Sequence, residues 1–147
     1  MPKHKKNKKV VVAVAPAPTK RPLWRGEPTF EGRHLSWRFS SVDLQGSWAW
    51  TNVPADSFQR IMHKLPDFER LCTPSDLKNV LHSISVDKLG KAARDRLGEL
   101  QHDDIEELHG WRVSGRQRLW CAAYDGIMYV LWWDPKHEVY PVAKKYT

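Results

Sequence analysis

Cysteine is scarce in this sequence of 147 residues, which holds only Cys72 and Cys121 and no C-x-x-C motif. Two distant cysteines argue against a disulfide scaffold and against a zinc site built on thiolates, and they favour a reducing, cytoplasmic compartment. Long apolar runs are also missing, because no stretch approaches the ~18 residues that a membrane-spanning helix requires. The short apolar stretch at residues 10–17 is interrupted by proline, which argues against a signal peptide. No membrane partner is therefore expected.

Motifs for metal and nucleotide chemistry are absent from the sequence as well. The seven histidines form neither H-x-x-x-H nor H-E-x-x-H, and no glycine-rich loop of the kind that cradles phosphates occurs. His102 with Asp103 and Asp104 is better explained as a helix terminus facing water than as a metal site. Cys121 lies in an apolar run, which indicates an inert core residue rather than a nucleophile. We expect neither a metal nor any other cofactor.

Acidic residues are missing from residues 1–21, where seven lysines and arginines account for the whole formal net charge of +7. The remainder carries 17 basic and 17 acidic residues, with a net charge of −3 over residues 54–110 and +3 over residues 111–147. Residues 1–22 are predicted to form a disordered basic tail, and residues 23–147 a single domain. The tail is either an arm that binds a polyphosphate such as nucleic acid or a solubilising extension, and both interpretations stay open.

Periodicity predicts an N-terminal strand pair. Leu35, Trp37 and Phe39 alternate with polar residues, and a turn at Gln45-Gly46 precedes a second strand at residues 47–50. The tryptophans of this region are interpreted as packing residues of a core or a sheet face.

Helices are predicted for the middle of the chain. The first begins at Pro54, and its apolar face consists of Phe58, Ile61, Met62 and Leu65. A loop with a short helix at residues 76–82 follows. Asp87 is the expected N-cap of another helix, which extends to Leu100, and residues 103–108 are expected to form an acidic helical turn.

The C-terminal part has the pattern of an antiparallel sheet. Asp125-Gly126 separates two apolar runs and predicts a tight hairpin, because both turn positions require positive φ. The run from Ile127 to Trp133 is typical of a central strand buried on both faces. A last short strand is predicted at Glu138–Val142, at a sheet edge because of Pro141. The expected fold class is therefore α+β, with an N-terminal strand pair and two or three helices on one face of a C-terminal antiparallel sheet.

This sheet is expected to gather basic side chains on one side. Arg116 and Arg118 alternate on one strand, and Arg112 comes from the strand before it. The end of the central strand contributes Lys136, His137 and Tyr140. Guanidinium groups bind phosphate oxygens, and an imidazole or a phenol transfers protons, so the set suits a phosphodiester. A solvated sheet face with arginine–aspartate pairs is the alternative interpretation.

The run from Leu108 to Val142, LHGWRVSGRQRLWCAAYDGIMYVLWWDPKHEVYPV, resembles the RelE/HigB/ParE superfamily of small bacterial toxins from type II toxin-antitoxin systems. The matching parts are Arg112, Gly115 and Arg118 entering a strand, the Asp125-Gly126 hairpin, the apolar run ending in Leu131-Trp132-Trp133, and the ending His137-Glu138-Val139-Tyr140. The order of strand, helices and sheet before this run is also similar to that fold, although the lysine pair of the RelE branch is absent.

The resemblance implies a metal-independent endoribonuclease that cleaves ribosome-bound mRNA and is neutralised by a cognate antitoxin. It implies catalytic roles for Arg118, which matches the arginine that contacts phosphate, and for His137 and Tyr140 at the C-terminal end. The RNA-binding residues that we expect are Arg112, Arg116, Lys136, Lys144 and Lys145.

The ParE branch of the superfamily acts on gyrase, so the fold alone does not decide the activity. A non-catalytic relative that binds nucleic acid or protein, associated with a phage or a plasmid, remains an alternative. A further alternative is an interaction protein whose lysine-rich tail does the binding.

Overall fold

A computed structural model of the chain describes residues 34–71 and 74–141. The predicted basic tail at residues 1–22, Cys72, Lys144 and Lys145 lie outside the described residues. The fold is α+β. Its strands are β1 (Ser36–Arg38), β2 (Leu81–Ser85), β3 (Glu107–Ser114), β4 (Gln117–Tyr124) and β5 (Ile127–Asp134). Its helices are α1 (Ala55–Glu69), α2 (Pro74–Leu77) and α3 (Lys91–Glu99), with short 3₁₀ turns at Trp50–Asn52 and Val86–Lys88.

The five strands form one open, mixed sheet in the order β1-β5-β4-β3-β2. The four strands from β2 to β5 are antiparallel to their neighbours, whereas β1 pairs in parallel with β5. Tight turns explain the meander from β3 to β5, because Gly115 has a φ of 50° and Asp125 and Gly126 have φ values of 53° and 77°. The predicted Asp125-Gly126 hairpin is confirmed.

Helices pack on both faces of the sheet, so the prediction of helices on one face is wrong. On one face, Ile61, Leu65 and Phe68 of α1 pack against strand residues such as Trp111 and Trp133. On the opposite face, which we call the α3 face, Ala93 and Leu97 of α3 pack against a second set that includes Leu108, Trp120 and Trp132. The reason is that the central strands are apolar on both sides, and each side requires a cover.

A β-bulge in β5 explains why two consecutive apolar residues of this strand, Leu131 and Trp132, face the same side of the sheet. Trp120 pairs with Trp132, but the next residue of β4, Cys121, pairs with Val130. Leu131 is therefore the extra residue, and Leu131 and Trp132 both join the core of the α3 face.

The predicted N-terminal strand pair is wrong, because only Ser36–Arg38 is a strand and residues 47–50 are not. The loop that follows β1 is bound by side-chain contacts instead. The buried Asp43 accepts hydrogen bonds from Arg96 (2.7 and 2.8 Å) and from the indole Nε1 of Trp132 (3.0 Å). The backbone N–H of Trp133 donates to Trp48 O at 3.1 Å, so this loop bonds to β5 rather than forming a hairpin.

Four further predictions require correction. Residues 81–85 form strand β2 rather than loop and helix, because pairing with β3 stabilises them. Helix α3 is capped by Gly90, not by Asp87. Residues 103–106 are not helical, and β3 begins at Glu107. In α1, Phe58 and Met62 are about half exposed, and the buried face is Ser57, Ile61, Leu65 and Phe68.

The predicted last strand at Glu138–Val142 is also absent over residues 138–141, and Val142 lies outside the described residues. Residues 135–141, which we call the C-terminal segment, have no regular structure. Within the described residues, no helix combines the length and the apolar character that crossing a bilayer would require.

Candidate functional site

A cleft of about 210 Å³ opens on the α3 face, where the sheet meets the C-terminal segment. The residues that line it are His82, Gly110, Arg112, Arg118, Trp120, His137 and Tyr140. Four of the residues proposed from the sequence, Arg112, Arg118, His137 and Tyr140, therefore meet at one site. The cleft combines two guanidinium groups, two imidazoles and a phenol.

Strand register explains how the sheet side of the cleft is assembled. Gly110 of β3 lies opposite His82 of β2 and opposite Trp120 of β4. Two residues further along β3, Arg112 lies opposite Arg118. Residues two apart on a strand project from the same face, so the pair Arg112 and Arg118 lies next to the cross-strand row of His82, Gly110 and Trp120 on the α3 face. The cleft thus has an arginine pair beside a row that ends at His82.

Gly110 makes room for the ring of Trp120 beside the cleft. A Cβ atom at this position would lie 2.9 Å from the six-membered ring of Trp120. Real Cβ atoms do not approach other heavy atoms that closely, so any other residue would displace the Trp120 ring.

Arg118 is the most buried cation of the cleft, with 6% of its surface exposed. Its Nη1 donates to Gly115 O at 2.6 Å and to Gln117 O at 3.1 Å, which occupies two of the five guanidinium donors. Burial lowers the pKa of Arg118, the neighbouring Arg112 lowers it further, and Asp134 opposes both effects. Two adjacent cations, one of them desolvated, favour an anion in the cleft.

Asp134 connects the sheet to the C-terminal segment. This carboxylate is fully buried at the end of β5, opposite Arg118. Its Oδ1 accepts from the backbone N–H of Glu138 at 2.9 Å, and its Oδ2 accepts from the N–H of Val139 at 2.9 Å and from Trp120 Nε1 at 3.1 Å. These bonds place His137 and Tyr140 over the sheet.

Two further features restrain the C-terminal segment. The buried Val139 accepts a hydrogen bond at its carbonyl oxygen from Gly90 N at 2.9 Å, which ties the segment to the start of α3. His137 has a φ of 59°, in the left-handed region that residues with a side chain seldom adopt. Backbone strain of this kind persists only where the surroundings determine it, and it is concentrated at functional sites.

The remaining predicted residues lie elsewhere. Arg116 is exposed in the turn between β3 and β4, so it does not share a strand face with Arg118 and does not line the cleft. Lys136 is exposed in the turn after β5 and does not line the cleft either. The prediction for Arg116 assumed that its strand began at that residue, whereas β4 begins at Gln117. Lys144 and Lys145 lie outside the described residues.

His82 is a lining residue that the sequence did not indicate. Its neighbours Leu81 and Ile84 do not alternate with polar residues, so the pattern that marks a strand is missing. Within residues 34–71 and 74–141, no group of three or more histidine, cysteine, aspartate and glutamate side chains is arranged to hold a metal ion.

No family model, no curated protein and no solved structure matches the chain.

Proposed function

We propose that this protein is a RelE-like, metal-independent endoribonuclease that cleaves mRNA, in the manner of the toxins of type II toxin-antitoxin systems. The observation that carries the proposal is the convergence of Arg112, Arg118, His137 and Tyr140 in one cleft. These residues come from two strands and from an irregular segment. The alternative interpretation, a solvated sheet face with separate arginine–aspartate pairs, does not require them to line one cleft.

The chemistry that follows is phosphodiester transesterification. The ribose 2′-oxygen attacks the adjacent phosphorus, and the bond to the 5′-oxygen breaks. Arg112 and Arg118 stabilise the negative charge that grows on the phosphate oxygens, which is electrostatic catalysis. His137 and Tyr140 are the residues proposed for proton transfer.

The resemblance of residues 108–142 to the RelE/HigB/ParE superfamily supports the same proposal. It extends the proposal to ribosome-bound mRNA as the substrate, to a cytoplasmic location and to a cognate antitoxin as the partner. The alternative is a non-catalytic relative that binds RNA, and the structural bonds of Arg118 to two backbone carbonyls favour it, because they give that guanidinium a role in the fold.

Cleavage of RNA by the purified protein in the presence of a chelator tests the proposal. We expect products with 2′,3′-cyclic phosphate and 5′-hydroxyl ends, first with free mRNA and then with ribosomes translating it. Arg112→Ala should reduce the rate by about 10²-fold or more, as the loss of a charge-stabilising donor does. Arg116→Ala is the matched control, since it removes an exposed arginine four residues away that does not line the cleft.

Induced expression in bacteria provides a second test. We expect wild-type protein to arrest growth, and Arg118→Ala or Tyr140→Phe to relieve the arrest. Binding of RNA without cleavage under every condition would replace this proposal with the non-catalytic alternative.

A further inference from the structure

His82 occupies a position in the cleft that the resemblance to the toxin superfamily did not indicate. It lies on β2, an edge strand, and its partner in register is Gly110, over which the ring of Trp120 lies. Arg112, two residues beyond Gly110, is its diagonal neighbour on the same face, at a distance that long side chains span. The imidazole of His82 is exposed at one side of the cleft.

His137 approaches the cleft from another direction. It belongs to the C-terminal segment, which Asp134 holds over the end of β5, two strands away from β3. One imidazole therefore comes from the sheet edge and the other from the segment above the sheet, while Arg112 and Arg118 occupy adjacent strands.

Transesterification of RNA requires two proton transfers at separate atoms. A base takes the proton of the 2′-hydroxyl as its oxygen bonds to phosphorus, and an acid gives a proton to the 5′-oxygen as its bond to phosphorus breaks. The attacking and leaving oxygens lie roughly in line on opposite sides of the phosphorus. A single imidazole cannot reach both oxygens at once, so two groups that flank the phosphate suit the reaction better than one.

We infer that His82 is a further proton-transfer group of the cleft, in addition to His137 and Tyr140, and that it acts with His137 from the other side of a phosphate held by Arg112 and Arg118. The inference rests on the proposed function and deepens it. One imidazole accepts the 2′-hydroxyl proton and becomes charged, while the other donates its proton to the 5′-oxygen and becomes neutral. The products are a 2′,3′-cyclic phosphate and a 5′-hydroxyl, and exchange with water restores both imidazoles.

The pH dependence of kcat/KM gives a first readout. The charged and titratable groups that face His82 are Arg112 and Arg118 from the neighbouring strands and His137 and Tyr140 from the C-terminal segment. We expect a bell-shaped profile for the wild type, because the reaction needs one catalytic group in its basic form and another in its acidic form. His82→Ala should remove one limb and reduce cleavage by about 10²- to 10⁴-fold, the usual contribution of a general acid or base.

The control is His63→Ala, which removes an exposed histidine on α1 and does not touch the cleft. We expect it to cleave like the wild type. Equal circular dichroism and equal unfolding midpoints for both variants exclude loss of the fold as the reason for lost activity.

Substrate chemistry then separates the two roles. An RNA that the wild type cleaves is prepared with sulfur in place of the 5′-bridging oxygen at the cleaved linkage, because a thiolate leaves without an acid. We expect this substrate to restore cleavage by one of His82→Ala and His137→Ala and not by the other. Unchanged cleavage and an unchanged pH profile for His82→Ala would overturn the inference while the proposed function stands, whereas a wild type that cleaves no RNA would overturn the proposed function itself.

Discussion

At the residue scale, a missing side chain at Gly110 shapes the cleft. We predict that Gly110→Ala destabilises the protein by about 1–3 kcal/mol, because the new methyl group would overlap the Trp120 ring and force it aside. Urea unfolding measures the free energy, and near-ultraviolet circular dichroism reports the ring. Gly98→Ala is the control, since nothing lies within 4 Å of its Cβ position, and it should stabilise α3 by up to about 1 kcal/mol.

His109 makes stability depend on pH. Burial lowers the pKa of this imidazole from 6.5 to about 4, and Ser83 Oγ lies 2.7 Å from its Nδ1. The unfolded chain therefore binds more protons than the folded one between pH 6.5 and 4. The contribution of His109 to the free energy of unfolding is fully present above pH 6.5. It is lost as the pH drops towards 4, and the loss is roughly 3 kcal/mol in all.

Unfolding by urea at pH 7.5, 6 and 5 tests this dependence. His109→Gln keeps a polar side chain without a titrating group, so we expect its stability to change less over the same range. An equally steep loss of stability in the variant would show that another group is responsible.

The residues of the cleft differ in how far the sequence could predict them. Arg112 and Arg118 meet because hairpin-connected strands place them opposite each other, and the hairpin chemistry of this region is local. His82 joins them only through pairing of β2 with β3, and no nearby residue signals that pairing. His137 and Tyr140 reach the cleft from an irregular segment whose position depends on Asp134, which the sequence showed only as the end of an apolar run.

At the scale of elements, one carboxylate holds the C-terminal segment in place. We predict that Asp134→Asn destabilises the protein by roughly 3 kcal/mol. The carboxylate of Asp134 accepts three hydrogen bonds, two from backbone N–H groups and one from Trp120. An amide cannot accept all three, so at least one buried donor would lose its partner. Hydrogen exchange at the amides of Glu138 and Val139 should accelerate more than exchange in β3 and β4.

Asp125→Asn is the matched control for this substitution. Asp125 is exposed in the hairpin turn with positive φ, a conformation that asparagine adopts readily. We expect little change in stability. Equal exchange rates at Glu138 in wild type and Asp134→Asn would contradict the assigned role of Asp134.

Predictions of elements that depend on local sequence preferences were confirmed, whereas predictions of elements that depend on strand pairing were wrong. The Asp125-Gly126 hairpin and the start of α1 near Pro54 follow from local preferences. Residues 47–50 have the composition of a strand, but the hydrogen bonds that Asp43 accepts from Arg96 and Trp132 hold the preceding loop in another arrangement. The apolar run in β5 indicated that both faces of the sheet are buried. The bulge at Leu131 explains why this run is continuous, and the sequence did not reveal that bulge.

At the scale of the whole molecule, charge is distributed unevenly between the tail and the domain. Seven basic residues lie within residues 1–21, and the remainder is formally neutral. We predict that deletion of residues 1–21 lowers the salt dependence of RNA binding, with a slope of log affinity against log salt reduced by up to about 5, since each neutralised phosphate contributes about 0.7 on single strands. The unfolding midpoint of the domain should not change.

Binding measured between 50 and 300 mM salt for both proteins checks this expectation. An unchanged slope would show that the tail does not contact RNA and would favour the interpretation as a solubilising extension. If cleavage in the cleft survives while affinity falls, binding by the tail and chemistry by the cleft are separate functions of the chain.

The parallel pairing of β1 with β5 has a consequence for the order in which the molecule is made. Ser36 pairs with Ile127, so β1 cannot pair with β5 until the ribosome has added about 90 more residues. At synthesis rates of roughly 5–20 residues per second, that wait lasts on the order of 5–18 s. Trp37 and Arg38 stay without their strand partners, Met128 and Tyr129, during this time. The nascent chain therefore closes its sheet late, and the cleft, which depends on residues after β5, is completed last.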